Sequence, residues 1–397
     1  MTTTTRSKTY LFVLVVLGST HLLNDLMQSL IPASYPILKE TYGLDFVQIG
    51  IITLTFQVAG ALLQPVIGMV TDKYPAPYSP VIGMMFTLSG LVNLAYAQTY
   101  EMILISVALI GIGSSIFHPE ATRMARYAAG SKQGLAQGIF QVGGQAGGAL
   151  GPVLAALIIV PWGQPSLAWF AVLALLSMLV LIWIGSKQRK ISAEFLMMQA
   201  DQQSQFQVTV HPPLTIGIGI AVLIFLMFTK NFYGESFRSF YTFYLIERFD
   251  LSIAASQLML FIFLFAAAVG VLFGGIIGDR IGRYKIIWIS ILGPLPLTLI
   301  LPYADLFWTG VLTIMINLVM ASAFASILIY AIDLLPNRIG LIGGLFYGLN
   351  FGLGGIAAGF LGVLTETYGI ETVYLICSFL PLSGLLAWFL PRIDGKR

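Results

Sequence analysis

The sequence is poor in charge and in cysteine, and each shortage excludes a class of protein. Only 9% of the residues are Asp, Glu, Lys or Arg, against about 25% in a typical soluble domain. The single cysteine, Cys377, excludes an intramolecular disulfide and a cluster of cysteine metal ligands. No pairing of nucleophile and base stands out, and no set of metal ligands. We therefore predict that the protein is not an enzyme and has neither a metal site nor a cofactor.

Apolar residues dominate what the chain does contain. They make up 57% of it, and the mean hydropathy is +0.89. Charged or turn-rich breaks separate twelve apolar runs, each close to the ~20 residues that a helix needs to cross a bilayer. The pattern predicts an all-α polytopic membrane protein with twelve transmembrane helices in contact with lipid. The predicted spans 1 to 12 lie near residues 10–36, 47–70, 80–98, 102–122, 134–160, 166–185, 214–245, 253–277, 285–302, 307–330, 340–364 and 371–391.

The basic residues predict how these spans are oriented. Of the 20 Lys and Arg residues, all but Lys39, Arg248, Lys230 and Arg238 lie at the two termini or in the even-numbered loops. Because positive charge stays on the cytoplasmic side, both termini are expected to be cytoplasmic. The first apolar run is too long, and too polar at its centre, for a cleaved signal peptide, so we expect it to remain as span 1. The basic residues of the cytoplasmic loops account for the net charge of +3, so this charge does not predict a nucleic-acid partner.

The two halves of the chain follow the same plan at an offset of about 207 residues. Gly68 and Asp72 after the second span, for example, match Gly275 and Asp279 after the eighth. We predict two pseudo-symmetric six-helix bundles, residues 1–185 and 214–397, that face each other across a central cavity. The polar, glutamine-rich segment 186–213 is predicted to be a cytoplasmic linker, and a plain tether is favoured over a regulatory element.

Span 1 carries a polar face at the depth where a membrane is most apolar. His21, Asn24, Asp25 and Gln28 recur at helical spacing and share this face. An ionised Asp at mid-membrane costs about 2.5–3.5 kcal/mol on insertion scales, so it needs a functional reason. In the repeat, Asn24 and Gln28 align with polar residues of span 7, whereas His21 and Asp25 align with phenylalanines. We predict that His21 and Asp25, which have no ionisable counterpart in span 7, carry a proton. We predict that Asn24 and Gln28, which have polar counterparts there, line a substrate path.

Span 7 carries the matching polar face. Asn231, Glu235 and Arg238 lie on one side of the helix, while Lys230 lies about 100° from Asn231 on an ideal helix. Either Gly234 loosens the helix at this point, or Lys230 serves packing and reaches towards the interface. Glu235 and Arg238 form either a structural pair or part of a substrate site, and the sequence leaves both interpretations open.

Span 4 ends in a second group of ionisable residues, His118, Glu120 and Arg123. Glu120 and Arg123 stand three residues apart on a helix and can pair, which lowers the cost of placing either charge in the membrane. The matching positions of span 10 are not ionisable. The asymmetry indicates a functional element, although a lone buried histidine such as His118 is often structural.

The loop between spans 8 and 9 reads Gly-x3-Asp-Arg-x-Gly-Arg-x-Lys from Gly275 to Lys285, which closely resembles the loop motif of the major facilitator superfamily. An Asp beyond the carboxyl end of its helix is poorly placed against the helix dipole and should seek a cation elsewhere. The resemblance implies that both loop copies latch the ends of the bundles, although a purely topogenic charge cluster is the alternative. The predicted latch residues are Gly68, Asp72, Gly275, Asp279, Arg280 and Arg338.

Span 5 has a pattern of small residues that points to export. Gly138, Gly147, Gly151 and Pro152 resemble the antiporter motif of exporters in this superfamily. Small residues four apart let two helices pack closely, and Pro bends the span. The motif favours an exporter over an importer.

Longer stretches extend the resemblance to bacterial drug exporters of this superfamily, among them His21-Leu-Leu-Asn-Asp25, Ser114-Ser-Ile-Phe-His-Pro-Glu120 and Ile139-Phe-Gln-Val-Gly-Gly144. The resemblance implies proton-driven export of a small anionic phosphonate antibiotic, by alternating access, from the bacterial inner membrane. It also implies that a monomer is functional. The predicted proton-coupling residues are Asp25 first, with His21, Glu235 and Glu120. The predicted substrate-binding residues are Asn24, Gln28, His118, Arg123, Gln141, Lys230, Asn231 and Arg238.

Two other functions stay open at this point. An importer or facilitator of a small organic anion or sugar has the same fold, and the span 5 motif argues against it. A receptor or scaffold that does not transport is the second alternative. It would have no need of a titratable pair at mid-membrane.

Overall fold

The computed structural model describes residues 9–74, 76–129, 133–202, 212–335 and 339–391. Within these ranges the chain forms helices and short connections, with no strand. Ten helical segments are long and apolar enough to cross a membrane, and Ser79–Ala95 is a shorter apolar helix. The prediction of an all-α polytopic membrane protein is confirmed.

The first six spans keep the predicted order, and most of their ends shift by a few residues. Span 4, for example, runs to Ala129, past the predicted end near residue 122. The helices are Leu11–Ala33 in span 1, followed by the short helix Tyr35–Tyr42, then Phe46–Lys73 in span 2, Ser79–Ala95 in span 3, Tyr100–Ala129 in span 4, Gln133–Leu154 in span 5 and Ala171–Gln202 in span 6.

The second half contains three spans that are interrupted, which the sequence analysis did not predict. Span 9 breaks at Gly293 and Pro294, where a proline lacks the N–H that a continuous helix needs. The helices are Pro213–Phe249 in span 7, Ile253–Ile281 in span 8, Arg283–Leu292 and Leu295–Ile300 in span 9, Leu306–Ala321 and Phe324–Leu334 in span 10, Ile339–Tyr368 in span 11, and Ile370–Cys377 with the 3-10 helix Leu380–Phe389 in span 12.

The helix of span 6 is longer than predicted. It continues to Gln202, whereas the sequence analysis ended the span at residue 185 because the chain becomes polar there. Its polar end is rich in Lys, Glu, Gln, Met and Ala, which are good helix formers. Residues 203–211 of the predicted linker lie outside the described residues, and the assignment of 186–213 as a tether stays a prediction.

The turn between spans 1 and 2 is built by local capping. Gly43 adopts a left-handed conformation, with φ of 63°, and ends the preceding short helix. Asp45 then caps span 2: its carboxylate accepts the Gln48 N–H at 2.6 Å, and the Gln48 side chain accepts the Asp45 N–H at 3.0 Å. We call the end of the bundle that carries this turn the first-loop end.

The two halves touch each other at the first-loop end. The Phe46 N–H of span 2 donates to Glu366 of span 11 at 2.9 Å. Gln257 of span 8 donates to the Ala33 carbonyl of span 1 at 2.8 Å. Gly362 packs directly on the Phe46 carbonyl, so spans 2 and 11 lie close together at this end. These contacts join elements that are far apart in the sequence, and they close this end of the space between the halves.

Span 5 packs along span 1 through its glycines. An added Cβ at Gly147 would overlap the Leu22 carbonyl, and one at Gly151 would overlap Ser29. An added Cβ at Gly138, by contrast, has no neighbour within 4 Å. Two of the three glycines in the predicted antiporter motif thus serve close helix packing.

Pro152 of the same motif stands just before a change of helix geometry. The α-helix of span 5 ends at Leu154 and continues as the π-helical turn Ala155–Ile159. Proline inside a helix removes a backbone hydrogen bond, which accounts for a local irregularity at this depth. The role of the motif in export stays a prediction.

The predicted latch falls largely outside what the structure describes. Arg338 lies outside the described residues, as do the side chains of Asp72 and Asp279 and the surroundings of Gly275. Gly68 packs beside Pro119 of span 4, and Arg280 is exposed near the end of span 8. The latch between the bundles therefore stays a prediction.

Candidate functional site

Spans 1 and 4 bring two histidines onto one carboxylate. The Nε2 atom of His21 lies 3.2 Å from Asp25 Oδ2, and the Nε2 atom of His118 lies 3.4 Å from Asp25 Oδ1. His21 and Asp25 meet because they stand four residues apart on one helix. His118 reaches the same carboxylate from span 4. We call these three residues the His-Asp-His cluster.

The hydrogen bonds of the two rings decide which nitrogen faces Asp25 with a lone pair. His21 Nδ1 donates to the Phe140 carbonyl at 2.7 Å, and His118 Nδ1 donates to the Ser114 carbonyl at 2.9 Å. A carbonyl oxygen only accepts, so Nδ1 carries the proton in each neutral ring. In the neutral rings both Nε2 atoms are then acceptors that face another acceptor, the Asp25 carboxylate, whereas a ring that gains a proton donates to it.

The surroundings of the cluster fit this geometry. Asn24 donates to Asp25 Oδ1 at 2.9 Å. An added Cβ at Gly144 of span 5 would lie 2.6 Å from His21 Nε2 and 2.7 Å from Asp25 Oδ2, so only glycine leaves the cluster its room. The side chain of His21 is 4% exposed, whereas that of Asp25 is 25% exposed. The carboxylate is therefore the part of the cluster that water reaches most easily.

The predicted polar lining of span 1 is buried. Asn24 is fully buried and Gln28 is 7% exposed. Among the described residues, Asn24 Oδ1 and Gln28 Nε2 have no hydrogen-bond partner. A buried polar atom without a hydrogen-bond partner costs free energy, and a bound water or substrate would remove this cost. These atoms therefore fit a surface that binds water or a substrate.

Glu235 of span 7 begins a chain of hydrogen bonds that crosses between the halves. Its carboxylate accepts from Arg238 Nε at 3.0 Å and from Ser239 Oγ at 2.5 Å. Ser239 Oγ lies 3.3 Å from Thr53 Oγ1 of span 2, which lies 2.6 Å from the Tyr35 hydroxyl. Glu235 and Arg238 therefore do form the pair that the sequence analysis considered. The bonds from Glu235 through Ser239 to Thr53 also connect the two halves.

Arg238 is the exposed member of this pair. Its side chain is 42% exposed, while that of Glu235 is 1% exposed. Glu235 bonds only the Nε of the guanidinium, which has five N–H donors in all. Gln57 of span 2 and Gly354 of span 11 lie beside Glu235, so spans 2, 7 and 11 meet here.

Lys230 points away from this face. Its amine donates to Ser290 of span 9 at 3.4 Å, and the small cavity beside it is lined by residues of spans 7, 9, 10 and 12. Span 7 is a continuous helix from Pro213 to Phe249, so Gly234 does not loosen it. Packing within the second half is the role that the structure supports for Lys230. Asn231 lies near the predicted face, and its Nδ2 has no hydrogen-bond partner among the described residues.

Glu120 and Arg123 form a separate cluster inside the first half. Arg123 lies 3.1 Å from Glu120 and donates to Thr71 Oγ1 of span 2 at 2.8 Å. Gln188 of span 6 donates to Glu120 at 2.5 Å. Residues two apart on a helix point about 200° away from each other, so Glu120 faces span 6 while His118 faces Asp25. The structure therefore does not bring Glu120 and Arg123 to the His-Asp-His cluster.

Some residues of the site could not be identified from the sequence alone. Ser239, Thr53 and Gln188 are ordinary polar residues in apolar runs, and only their contacts distinguish them. Gly144 is hard to single out from the sequence, because it is one of several glycines in span 5. Gln141 of the predicted substrate path is partly buried on the same span. None of the predicted substrate or proton roles is tested by geometry alone.

Comparisons with known proteins place the chain in a family. A profile of the Major Facilitator Superfamily matches residues 17–359 and 220–397. The fosmidomycin resistance protein of Escherichia coli strain K12 is 52% identical over 388 residues, which cover 98% of this chain and 95% of that protein. An uncharacterized transporter of this type from Bacillus subtilis strain 168 is 38% identical over 388 residues, which cover 97% of this chain and 94% of that protein.

The fold agrees with these matches. The solved structure of the xylose transporter from E. coli, in a partially occluded, inward-open conformation, aligns with a TM-score of 0.76 at 14% identity. The alignment covers 98% of this chain and 99% of that chain. Such low identity speaks for the fold alone. From the profile, the close relatives and the fold together, this chain belongs to the major facilitator superfamily and is a membrane transporter rather than an enzyme.

Proposed function

We propose that the protein exports a small anionic compound, with fosmidomycin as the first candidate, in exchange for protons across the bacterial inner membrane. The relative at 52% identity is named for fosmidomycin resistance, and it aligns with nearly the whole chain. The small-residue motif of span 5 supports export over import. The collection of basic residues in the even-numbered loops supports cytoplasmic termini.

The observation that carries proton coupling is the His-Asp-His cluster. Two imidazole nitrogens face the two oxygens of one carboxylate, at 3.2 and 3.4 Å, and in the neutral rings all of these atoms are acceptors. A proton on any one of the three residues turns it into a donor and a repulsive contact into an attractive one. With one proton the cluster is neutral, and without it the cluster carries one negative charge. A group with these properties binds and releases a proton as its access to water changes.

Arg238 supports an anionic substrate. It is partly exposed, lies on the polar face of span 7 and binds its carboxylate partner through only one of its nitrogens. Guanidinium groups bind phosphonate-like oxygens in paired, charge-assisted hydrogen bonds. Asn231 and Gln28 carry buried polar atoms that lack partners among the described residues, and a bound substrate is able to satisfy them.

Coupling follows when proton and substrate favour different states of the two bundles. The contacts at the first-loop end describe a state in which that end is closed. Rocking of the bundles would break them and open the first-loop side of the site. One proton that enters down the membrane potential releases about 2.3 kcal/mol per 100 mV, which can sustain a substantial export gradient.

The test is Asp25→Asn in inverted vesicles that are given fosmidomycin in the outer medium under an imposed pH gradient. Asn cannot ionise, so we expect uptake driven by the pH gradient to fall to the level of empty vesicles. Asp305→Asn is the matched control, because Asp305 only caps the helix Leu306–Ala321 and Asn caps a helix equally well. Retained coupling in Asp25→Asn would show that the cluster does not carry the proton, and a lack of fosmidomycin transport by the parent would remove the substrate assignment.

A further inference from the structure

The His-Asp-His cluster has the composition and spacing of a metal site. One ligand atom from each of His21, Asp25 and His118 lies within 4.8 Å of the others. For bonds of about 2.0–2.1 Å in a tetrahedron, neighbouring ligand atoms are about 3.3–3.4 Å apart. His21 Nε2 lies 3.2 Å from one oxygen of Asp25 and His118 Nε2 lies 3.4 Å from the other, so each histidine is within about one such edge of the carboxylate. The sequence analysis expected no metal-ligand cluster, because His118 is remote from Asp25 along the chain and meets it only in the fold.

The outer contacts of the ligands are those that metal sites use. A ligating histidine donates its other ring N–H to a carbonyl or carboxylate, which fixes the ring and leaves the remaining nitrogen bare. Both rings do so here, His21 to the Phe140 carbonyl and His118 to the Ser114 carbonyl. Asn24 holds one carboxylate oxygen of Asp25 at 2.9 Å. The three ligands are thus oriented before any ion arrives.

The cluster also has an open side. Asp25 and His118 have side chains that are 25% and 15% exposed, so a fourth position is available to water. Gly144 leaves the space beside His21 Nε2 and Asp25 Oδ2, which the Cβ of any other residue would enter. Three protein ligands with one open position is the arrangement of an exchangeable zinc site rather than a closed structural one.

We propose that His21, Asp25 and His118 bind a divalent transition-metal ion, with Zn²⁺ as the best fit, and that the bound ion blocks transport. Two imidazoles and one carboxylate suit zinc, whereas Mg²⁺ and Ca²⁺ prefer sites made of oxygen ligands. Metal binding rests on the geometry alone. The block rests on the proposed function, because the ion would bind the three side chains that share the exchanged proton.

Isothermal titration with ZnCl₂ tests the site in the purified full-length protein, after any polyhistidine tag has been removed. We expect one zinc ion per chain. His21→Gln and His118→Gln should each weaken binding roughly 100-fold or more, since loss of an outer-shell partner alone costs about 10–100-fold. The chain has only three histidines, so His211→Gln is the matched control and should leave the affinity unchanged. Equal affinity in the parent and both cluster variants would overturn the proposal.

A second measurement does not depend on whether the variants fold. X-ray absorption at the zinc edge of the parent protein should report two imidazoles and nitrogen or oxygen ligands at about 2.0–2.1 Å. A shell that contains sulfur would assign the ion to Cys377 or to methionine and overturn the proposal. If zinc binds the cluster without slowing transport, the metal site stands and the proposed block is contradicted. Failure of the metal site and failure of the proton mechanism therefore give different results.

Discussion

Replacing Glu366 with Gln is predicted to loosen the first-loop end without unfolding either half. Glu366 of span 11 accepts the Phe46 N–H of span 2 at 2.9 Å, so this bond exists only while the halves are together. A hydrogen bond to a charged group contributes about 1.5–3 kcal/mol and a neutral one about 0.5–1.5 kcal/mol, and Gln keeps a neutral acceptor, so only the difference is lost. Glu366 is exposed and screened by water, which places this difference at about 1 kcal/mol. We therefore expect the ratio of open to closed molecules to rise about fivefold.

Distances between spin labels measure this ratio. Labels at Gln98→Cys and Tyr303→Cys, both exposed and in different halves at the first-loop end, report how far apart the halves stand. The native Cys377 is buried and is replaced by Ser in all samples. The long-distance fraction should increase in Glu366→Gln relative to the parent.

Glu371→Gln is the matched control at the same end of the molecule. Glu371 pairs with Arg248 at 3.4 Å, and both residues belong to the second half. Its loss removes a comparable charge without touching the contact between the halves. An equal shift in the two variants, or no shift in Glu366→Gln, would refute the idea that the bond to Phe46 holds this end closed.

Two further predictions concern the packing of span 1 and the substrate. Gly147→Ala should lower the thermal unfolding temperature in detergent, because its Cβ meets the Leu22 carbonyl and overpacking costs about 1–3 kcal/mol, while Gly138→Ala should not lower it. A loss in Gly138→Ala that equals the loss in Gly147→Ala would contradict this reasoning. Arg238→Gln should raise the KM for fosmidomycin export roughly tenfold or more, through loss of a charge-assisted contact. Arg248→Gln, on the same helix but at the first-loop end, should leave this KM unchanged, and an equal rise in both variants would assign the effect to net charge.

The span pattern and the family could be predicted from the sequence, because they depend on local properties. Hydropathy reports how apolar a segment is, and the loop from Gly275 to Lys285 is a compact motif. The interruptions of spans 9 and 10 were missed, since a short break does not change the average hydropathy of a run. The longer helix of span 6 was missed for the opposite reason: polarity was interpreted as the end of the span, although helix propensity continues to Gln202.

The candidate site was predictable only within single helices. His21 with Asp25, and Glu235 with Arg238, were recognised by helical spacing. That His118 joins Asp25 while Glu120 turns away depends on how span 4 is rotated against span 1, which no local pattern encodes. For the same reason Lys230 was grouped with the substrate path, whereas its amine bonds Ser290 inside the second half.

The hydrogen-bond chain from Glu235 to Tyr35 has a fixed polarity. While Glu235 is ionised it only accepts, so Ser239 spends its one proton on it and must accept from Thr53, which in turn accepts from Tyr35. Protonated Glu235 is able to donate, and the three hydroxyl groups are then free to reverse. The charge of Glu235 in the second half thereby affects the direction in which the Tyr35 O–H points in the first half. Reversal of this chain needs only rotation of hydroxyl hydrogen atoms, with no movement of a helix.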